Sequence, residues 1–335
     1  MSLDSHILVT GGAGFIGSHV VDAVLARPGA RVTVLDRLSR GGARANLEAH
    51  GSDARLTFVQ GDVSDVAVVR PLVEAADAVV HAAAESHVDR SIDDPTGFVV
   101  TNVLGTQTVL EAVRLSDRRM LMISTDEVYG PGDRDGGLFD EDHGVNPRSP
   151  YAASKAAADL LCQSYAATYG TDVTLVRGTN AYGPRQIERV VPTYAINALE
   201  GHAVPVYSNG RERREFLHVQ DWVRAALLVL EHGRAGVVHN IGGGHELDNL
   251  ELAGRICTLA GAPESLITFV PDRPGHDFRY GVSSDRVRAL GWRPEVSFDD
   301  GLASTVEWYR EHLDWLRAAH GAGVVTEPRS AGAVR

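Results

Sequence analysis

Residues 9–21 read VTGGAGFIGSHVV, an apolar run that ends at Thr10 and passes through three spaced glycines into an amphipathic stretch. Gly11, Gly14 and Gly17 stand where a first strand would turn into a first helix. Glycines permit a tight turn and a close backbone approach, and a helix N-terminus presents unpaired amide hydrogens to a pyrophosphate. Alone, a glycine fingerprint is weak evidence. Here Asp36 follows at the end of the next apolar run, RVTVLD, where a carboxylate can accept ribose hydroxyls. The context predicts a dinucleotide-binding unit, and Asp36 favours NAD because a carboxylate repels the extra ribose phosphate of NADP. Arg37 and Arg40 come next, either as solvated loop charges or as cations able to reach such a phosphate. Asp62, in QGDVSD, follows the third apolar run, where it either approaches an adenine or closes a turn.

Working outward, apolar runs recur as HILVT (6–10), RVTVLD (31–36), LTFVQ (56–60), DAVVHAA (77–83), RMLMIS (119–124) and DVTLVRG (172–178). They are continuous rather than alternating, as in strands covered on both faces. Helical patterns such as GSHVVDAVLAR (17–27) and TNVLGTQTVLEAVRLS (101–116) lie between them. This alternation predicts an α/β fold: a Rossmann-type doubly wound parallel sheet, with a smaller α/β substrate-binding lobe over its carboxyl edge. ERREFLHVQDWVRAALLVLEHG (212–233) and VVHNIGG (237–243) read as a return to the sheet. Proline and glycine punctuate the stretches 182–214 and 248–320. The expected division is residues 1–181 with 215–247 for the dinucleotide, 182–214 with 248–322 for the second lobe, and a loose tail at 323–335.

The 335 residues, 44% hydrophobic and 23% charged, suit a globular protein with a sizeable core. A net charge of -12 argues against a nucleic-acid or anionic-membrane surface, so an anionic ligand must find local arginines. Cys162 and Cys257, the only cysteines, suggest neither a disulfide framework nor a metal site, and none is expected. No signal-peptide pattern or membrane-length apolar run occurs, which predicts a cytoplasmic protein.

Two stretches carry candidate chemistry. STDEVYG (124–130) places Asp126 and Glu127 where the fifth apolar run ends, and adjacent acids there either cap a turn or perform acid–base work. Consecutive strand residues point to opposite faces, so the two can cooperate only if the strand has given way to a turn at Thr125. SPYAASKAAADLL (149–161) puts Tyr151 and Lys155 on one helical face, where an ammonium near a phenol favours the phenolate and equips it to accept a proton.

With Ser124 at the tip of the fifth strand, these motifs resemble the extended short-chain dehydrogenases/reductases. HAAAESHVDRSI, STDEVYG, SPYAASKA, NAYGP, PDRPGHD and ALGW more narrowly resemble the nucleotide-diphosphate-sugar 4,6-dehydratases. The resemblance runs to about Trp308, and the TDE triplet separates this group from sugar-nucleotide epimerases and decarboxylases. It implies that Tyr151 takes the proton of the sugar 4-hydroxyl while hydride passes to NAD. Glu127 then removes the hydrogen on carbon 5, protonated Asp126 assists departure of the 6-hydroxyl, and hydride returns to carbon 6. The product is a 4-keto-6-deoxy sugar, with dTDP-glucose as the favoured substrate.

The resemblance also implies site residues. Cofactor contacts fall to Gly11, Gly14, Phe15, Ile16 and Gly17, then to Asp36, Arg37, Asp62 and Val63, and finally to Ala82, Ala84, Ser124, Tyr151 and Lys155. Thr125 joins Asp126, Glu127, Tyr151 and Lys155 in catalysis. On the substrate side, Ser86, with Glu85, lines the sugar pocket, joined by Thr125, Asn180 and Arg189. Arg214 meets the diphosphate, and Val206, Asn240, Arg273 and His276 lie toward the nucleotide. Two segments depart from the family pattern: YGPRQIERVVP, one residue shorter than usual, and YSNG at 207–210. Helices near 100–115 and 151–169 are expected to pair with their symmetry mates in a homodimer. The competing functions are a UDP-sugar 4-epimerase or decarboxylase, which has no use for both acids, and a non-catalytic NAD-sensing protein.

Overall fold

A computed structural model describes residues 5–39, 44–132, 136–272 and 277–320. Arg40, Arg273, His276 and the 323–335 tail lie outside the described residues. In chain order the first strands are β1 (His6–Thr10), β2 (Arg31–Asp36), β3 (Leu56–Gln60), β4 (Ala78–His81), β5 (Arg119–Thr125) and β6 (Val173–Gly178). Then come β7 (Asn180–Tyr182), β8 (Val204–Tyr207), β9 (Arg213–His218), β10 (Val238–Ile241), β11 (His245–Asp248) and β12 (Ile267–Val270).

Seven of these make one parallel sheet in the order β10-β6-β5-β4-β1-β2-β3. The chain builds outward from β1 to β3, then crosses to β4 and builds the other way. The switch point is therefore the gap between β1 and β4, where ligands sit in open α/β sheets. Helices cover both faces. Phe15–Leu25 and Val219–His232 pack through Val20, Val21, Val24, Trp222 and Val223. Val66–Ala75, Gly105–Ser116 and Pro150–Tyr169 pack through Val69, Val109, Leu110 and Cys162 on the other face. Double coverage explains why the strand runs lack alternation.

The second layer departs from expectation. Arg213–His218 does not return to the large sheet: β9 pairs parallel with β7 and antiparallel with β11 in a three-stranded sheet. The return is made by helix Val219–His232 and β10, which pairs with β6. Apolar content marks a strand, but its partner is set by the connection around it. A parallel pair, β8–β12, flanks this sheet, and Tyr182, Tyr194, Phe216, Cys257, Phe298 and Tyr309 share its core. Both cysteines are buried and unpaired. The stretch expected as one helix over 101–116 opens with a π-helical turn, Val99–Leu104, before the α-helix Gly105–Ser116. Among the described residues no helix is long and apolar enough to cross a membrane.

Candidate active site

The glycine turn after β1 is built by close contacts that exclude side chains. Gly11 takes φ +68°, and a methyl there would sit 2.6 Å from Ala83 N, beyond the end of β4. A methyl on Gly17 would sit 2.1 Å from the Gly11 carbonyl oxygen. Gly14 caps the helix Phe15–Leu25 with no side chain over its amides, leaving them open to an anion. Gly11, Gly14, Phe15, Ile16 and Gly17 line one end of a large cavity, together with Asp36, Arg37 and Val63.

The Asp36 carboxylate is buried at the end of β2, where its oxygens accept from Ala13 N at 3.0 Å and Leu38 N at 2.8 Å. Each oxygen keeps a lone pair for a further donor such as a ribose hydroxyl. Arg37 is not a solvated loop charge. It donates to Asp62 at 3.1 Å and also to Glu85, spanning from the β3 loop to the β4 loop. Asp62 does close a turn, accepting from Ser64 N at 2.9 Å, while its other oxygen holds Arg37. Burial works against ionisation of Asp62, but the bonds from Ser64 and Arg37 outweigh it and hold its carboxyl below the usual range.

Ala82, Ala84, Glu85 and Ser86 carry the lining past β4, and Ser124 and Thr125 carry it past β5. The buried Ser124 hydroxyl has no hydrogen-bond partner. A site with an open helix start, a spare-capacity carboxylate and an unpartnered hydroxyl fits a dinucleotide.

At Thr125 the strand ends and a 3-10 turn, Asp126–Tyr129, begins. Thr125 Oγ1 donates to Asp126 Oδ1 at 3.2 Å and accepts from Glu127 N at 3.3 Å. The turn resolves the geometric objection, because both acids now line the same cavity. Their surroundings differ. Asp126 is 3% exposed and its Oδ2 has no partner, whereas Glu127 is half-buried. Burial, reinforced by the charges of Glu127 and Glu215, pushes the Asp126 carboxyl up to about 8 against opposition from Thr125 and Arg214.

Tyr151 and Lys155 project from the helix Pro150–Tyr169, whose start is fixed by Ser149 accepting from Ala152 N at 3.1 Å and by Pro150 in the first turn. Both line the cavity. Lys155 Nζ donates to the Ile123 carbonyl at 2.6 Å, and burial lowers its ammonium to about 8. Burial and the Glu127 charge hold the Tyr151 phenol above its ordinary range, opposed by the Arg189 guanidinium and a bond with Thr125. The cation facing this ring is Arg189, 5.9 Å from its centre.

The remaining substrate-side residues divide. Asn180 and Arg189 line the cavity, and Arg189 donates to the Ser86 carbonyl from a backbone with φ +128°, a conformation side chains rarely adopt. Arg214 is buried, donating to the Asp277 and Phe278 carbonyls beneath the Tyr280 ring. Val206 is fully buried in the second core, and Asn240 is enclosed, accepting from Tyr129 Oη at 2.8 Å and donating to the Phe139 carbonyl at 3.1 Å. Neither lines the cavity.

Sequence reasoning passed over Glu215, a buried acid that accepts from Gly244 N and Val282 N and whose charge reaches Asp126. It also passed over Arg90 and Glu188, paired at 3.0 Å on the rim. Glu215 adjoins Arg214, and Glu188 adjoins Arg189, so position beside a candidate was the available signal.

Comparison with known proteins fits this geometry. Over 317 residues the chain is 50% identical to dTDP-glucose 4,6-dehydratase of Streptomyces niveus, covering 92% of this chain and 94% of that one. DesIV, the dTDP-glucose 4,6-dehydratase of Streptomyces venezuelae crystallised with NAD and TYD, superposes with a TM-score of 0.91 at 47% identity over 94% of this chain and 99% of its own. UDP-glucose 4-epimerase of Thermus thermophilus, in complex with NAD, superposes at 0.84 with 33% identity, covering 91% and 99%. A family model matches residues 7–242, so the chain belongs to the NAD dependent epimerase/dehydratase family.

Proposed function

We propose that this chain uses NAD to dehydrate dTDP-glucose to the corresponding 4-keto-6-deoxy sugar, a hydro-lyase reaction without net redox change. One observation carries the reading beyond the family: a buried, protonated Asp126 and a more exposed Glu127 share a cavity with Tyr151 and Lys155. An epimerase needs no such acid–base pair. The glycine turn, Asp36 and Ser124 would hold NAD, which accepts hydride from sugar carbon 4 and returns it to carbon 6. Arg37, already engaged by Asp62 and Glu85, is not free to draw a ribose phosphate, which supports NAD over NADP.

Tyr151 accepts the 4-hydroxyl proton as the phenolate, the form that Arg189 and Thr125 favour against burial and the Glu127 charge. The ketone at carbon 4 acidifies the hydrogen on carbon 5, which Glu127 removes as a proton and returns to carbon 5 when hydride reaches carbon 6. Asp126, holding its proton near neutral pH, gives it to the departing 6-hydroxyl. Asn180, Ser86 and Arg189 would orient the sugar, and Arg214 the diphosphate. In this reading the seven-stranded sheet with its helices holds the dinucleotide, the layer built on β7, β9 and β11 holds the sugar nucleotide, and the enzyme works as a cytoplasmic homodimer.

The test is a panel of dTDP-, UDP-, GDP- and CDP-glucose, each incubated with the purified enzyme and NAD. A 4-keto-6-deoxy product, seen as its ultraviolet chromophore in base, is expected chiefly from dTDP-glucose. Epimerised UDP-sugar without loss of water would overturn the reading.

A further inference from the structure

Lys155 is the only lysine of the chain; every other member of the 32 lysines and arginines is arginine. This one lysine is 3% exposed and sits at the cavity floor. An arginine stays charged almost anywhere, whereas a buried lysine readily gives up its proton. Some feature must therefore keep this ammonium charged in a buried setting.

Asp159 stands one helical turn beyond Lys155, at the i,i+4 spacing on the buried face of Pro150–Tyr169. It is fully buried. Its Oδ2 accepts from Arg177 Nε at 2.9 Å, while Oδ1 has no hydrogen-bond partner. Arg177, from β6, is fixed in turn above the Tyr129 ring at 4.8 Å. The Arg177 guanidinium offsets the charge of this carboxylate at Oδ2, while Oδ1 makes no hydrogen bond and is open to a second cation. The neighbouring cation one turn away is Lys155.

We propose that Asp159 is a positioning residue: anchored by Arg177, its carboxylate keeps Lys155 an ammonium and holds it at the cavity floor. Among the described residues, Asp159 is the carboxylate whose charge acts on Lys155. The Ile123 carbonyl of β5 accepts from Nζ, and His81 of β4 is buried between Thr10 and Thr106 and kept neutral, pushed down to about 3 by burial and by Lys155. On the same helix, burial keeps the Cys162 thiol protonated, and the Tyr151 phenol is protonated as well. Asp159 opposes the burial that lowers the Lys155 ammonium. The inference rests on the dehydratase reading only in its use of Lys155 as a cation.

A single lysine makes the test direct. Enzyme grown on lysine labelled with carbon-13 at Cε gives one side-chain NMR signal whose position reports the charge of Lys155. In the native enzyme that signal should titrate above neutral pH; a neutral Lys155 at pH 7 would overturn the proposal. In Asp159→Asn the midpoint should fall by about one to three units, as expected for removal of a nearby opposite charge, and Asp159→Glu should restore most of it. Should Asp159→Asn fail to fold with Arg177 left unpaired, Asp159→Leu combined with Arg177→Met removes the pair together and should lower the midpoint likewise. An unmoved midpoint in a folded variant would assign Asp159 to structure alone. Because the signal is read without substrate, this outcome is separate from that of the sugar-nucleotide panel.

Discussion

Asp126 and Glu127 are joined by one peptide bond yet differ in access to water, and that difference assigns their roles. Burial and two neighbouring carboxylates favour the neutral form of Asp126, so it can donate a proton, while the half-buried Glu127 is placed to accept one. Their amides should leave the first oxidation intact and slow elimination by ~100- to 10,000-fold, the usual loss for a positioned acid or base. Reduced cofactor absorbance should then accumulate on substrate addition. Glu127→Gln should also lose exchange of the carbon-5 hydrogen with deuterated solvent, whereas Asp126→Asn should keep more of it. Wild-type turnover in both variants would make the pair a structural turn. Stability gives an independent reading. A carboxyl whose folded pKa is raised contributes stability while protonated and loses it as pH rises through the folded value, about 8 here. Asp126→Asn abolishes that loss, so its melting temperature relative to wild type should climb between about pH 5 and about pH 9. A pH-independent difference would mean that Asp126 is ionised in the fold. At this scale the sequence was informative where chemistry depends on neighbours in the chain: Tyr151 with Lys155, Asp126 with Glu127. It was silent on Glu215 and on the enclosure of Asn240, because both depend on contacts from distant strands.

The turn after β1 and the turn after β5 were legible as elements because their requirements are local. Glycine spacing encodes a backbone approach, and an apolar run that stops in Ser-Thr-Asp encodes a strand giving way to a capped turn. The two glycines that approach the same carbonyl make a graded prediction. A methyl at Gly17 would stand 2.1 Å from Gly11 O, one at Gly14 3.2 Å from it. Gly17→Ala should therefore cost about 1–3 kcal/mol of stability, the range for forced overpacking, and weaken NAD binding at least about tenfold. Gly14→Ala should cost clearly less in urea unfolding. Equal costs would show that the helix start shifts freely and that the turn is not held by this contact. By contrast, the three-stranded sheet β7–β9–β11 was not legible. Its strands are three to six residues long and pair across intervening helices, so no local period marks which sheet they join.

Across the whole molecule, one chain of charges crosses the switch point: Asp62 to Arg37, Arg37 to Glu85, Glu85 to Arg90 at 3.9 Å and Arg90 to Glu188 at 3.0 Å. The acidic net charge implied that an anionic ligand must find local arginines; it could not foretell that those on the rim are already partnered by acids. A second whole-molecule feature concerns assembly. The segment Val99–Leu104 and the helix Pro150–Tyr169 pack together, and they expose Val99 at 54%, Leu104 at 50% and Leu160 at 53%. Apolar side chains at these exposures on two adjacent helical segments suit a face that a second copy covers, and a two-fold axis lets one face serve both partners. Light scattering should give a dimer at micromolar concentration. Combined Leu104→Glu and Leu160→Glu should give a monomer, because paired copies would bury like charges against apolar surface. Neither residue lines the cavity, so the monomer should still bind NAD if each chain holds a complete site. A wild-type monomer, or a double variant that stays dimeric, would place any contact between copies elsewhere.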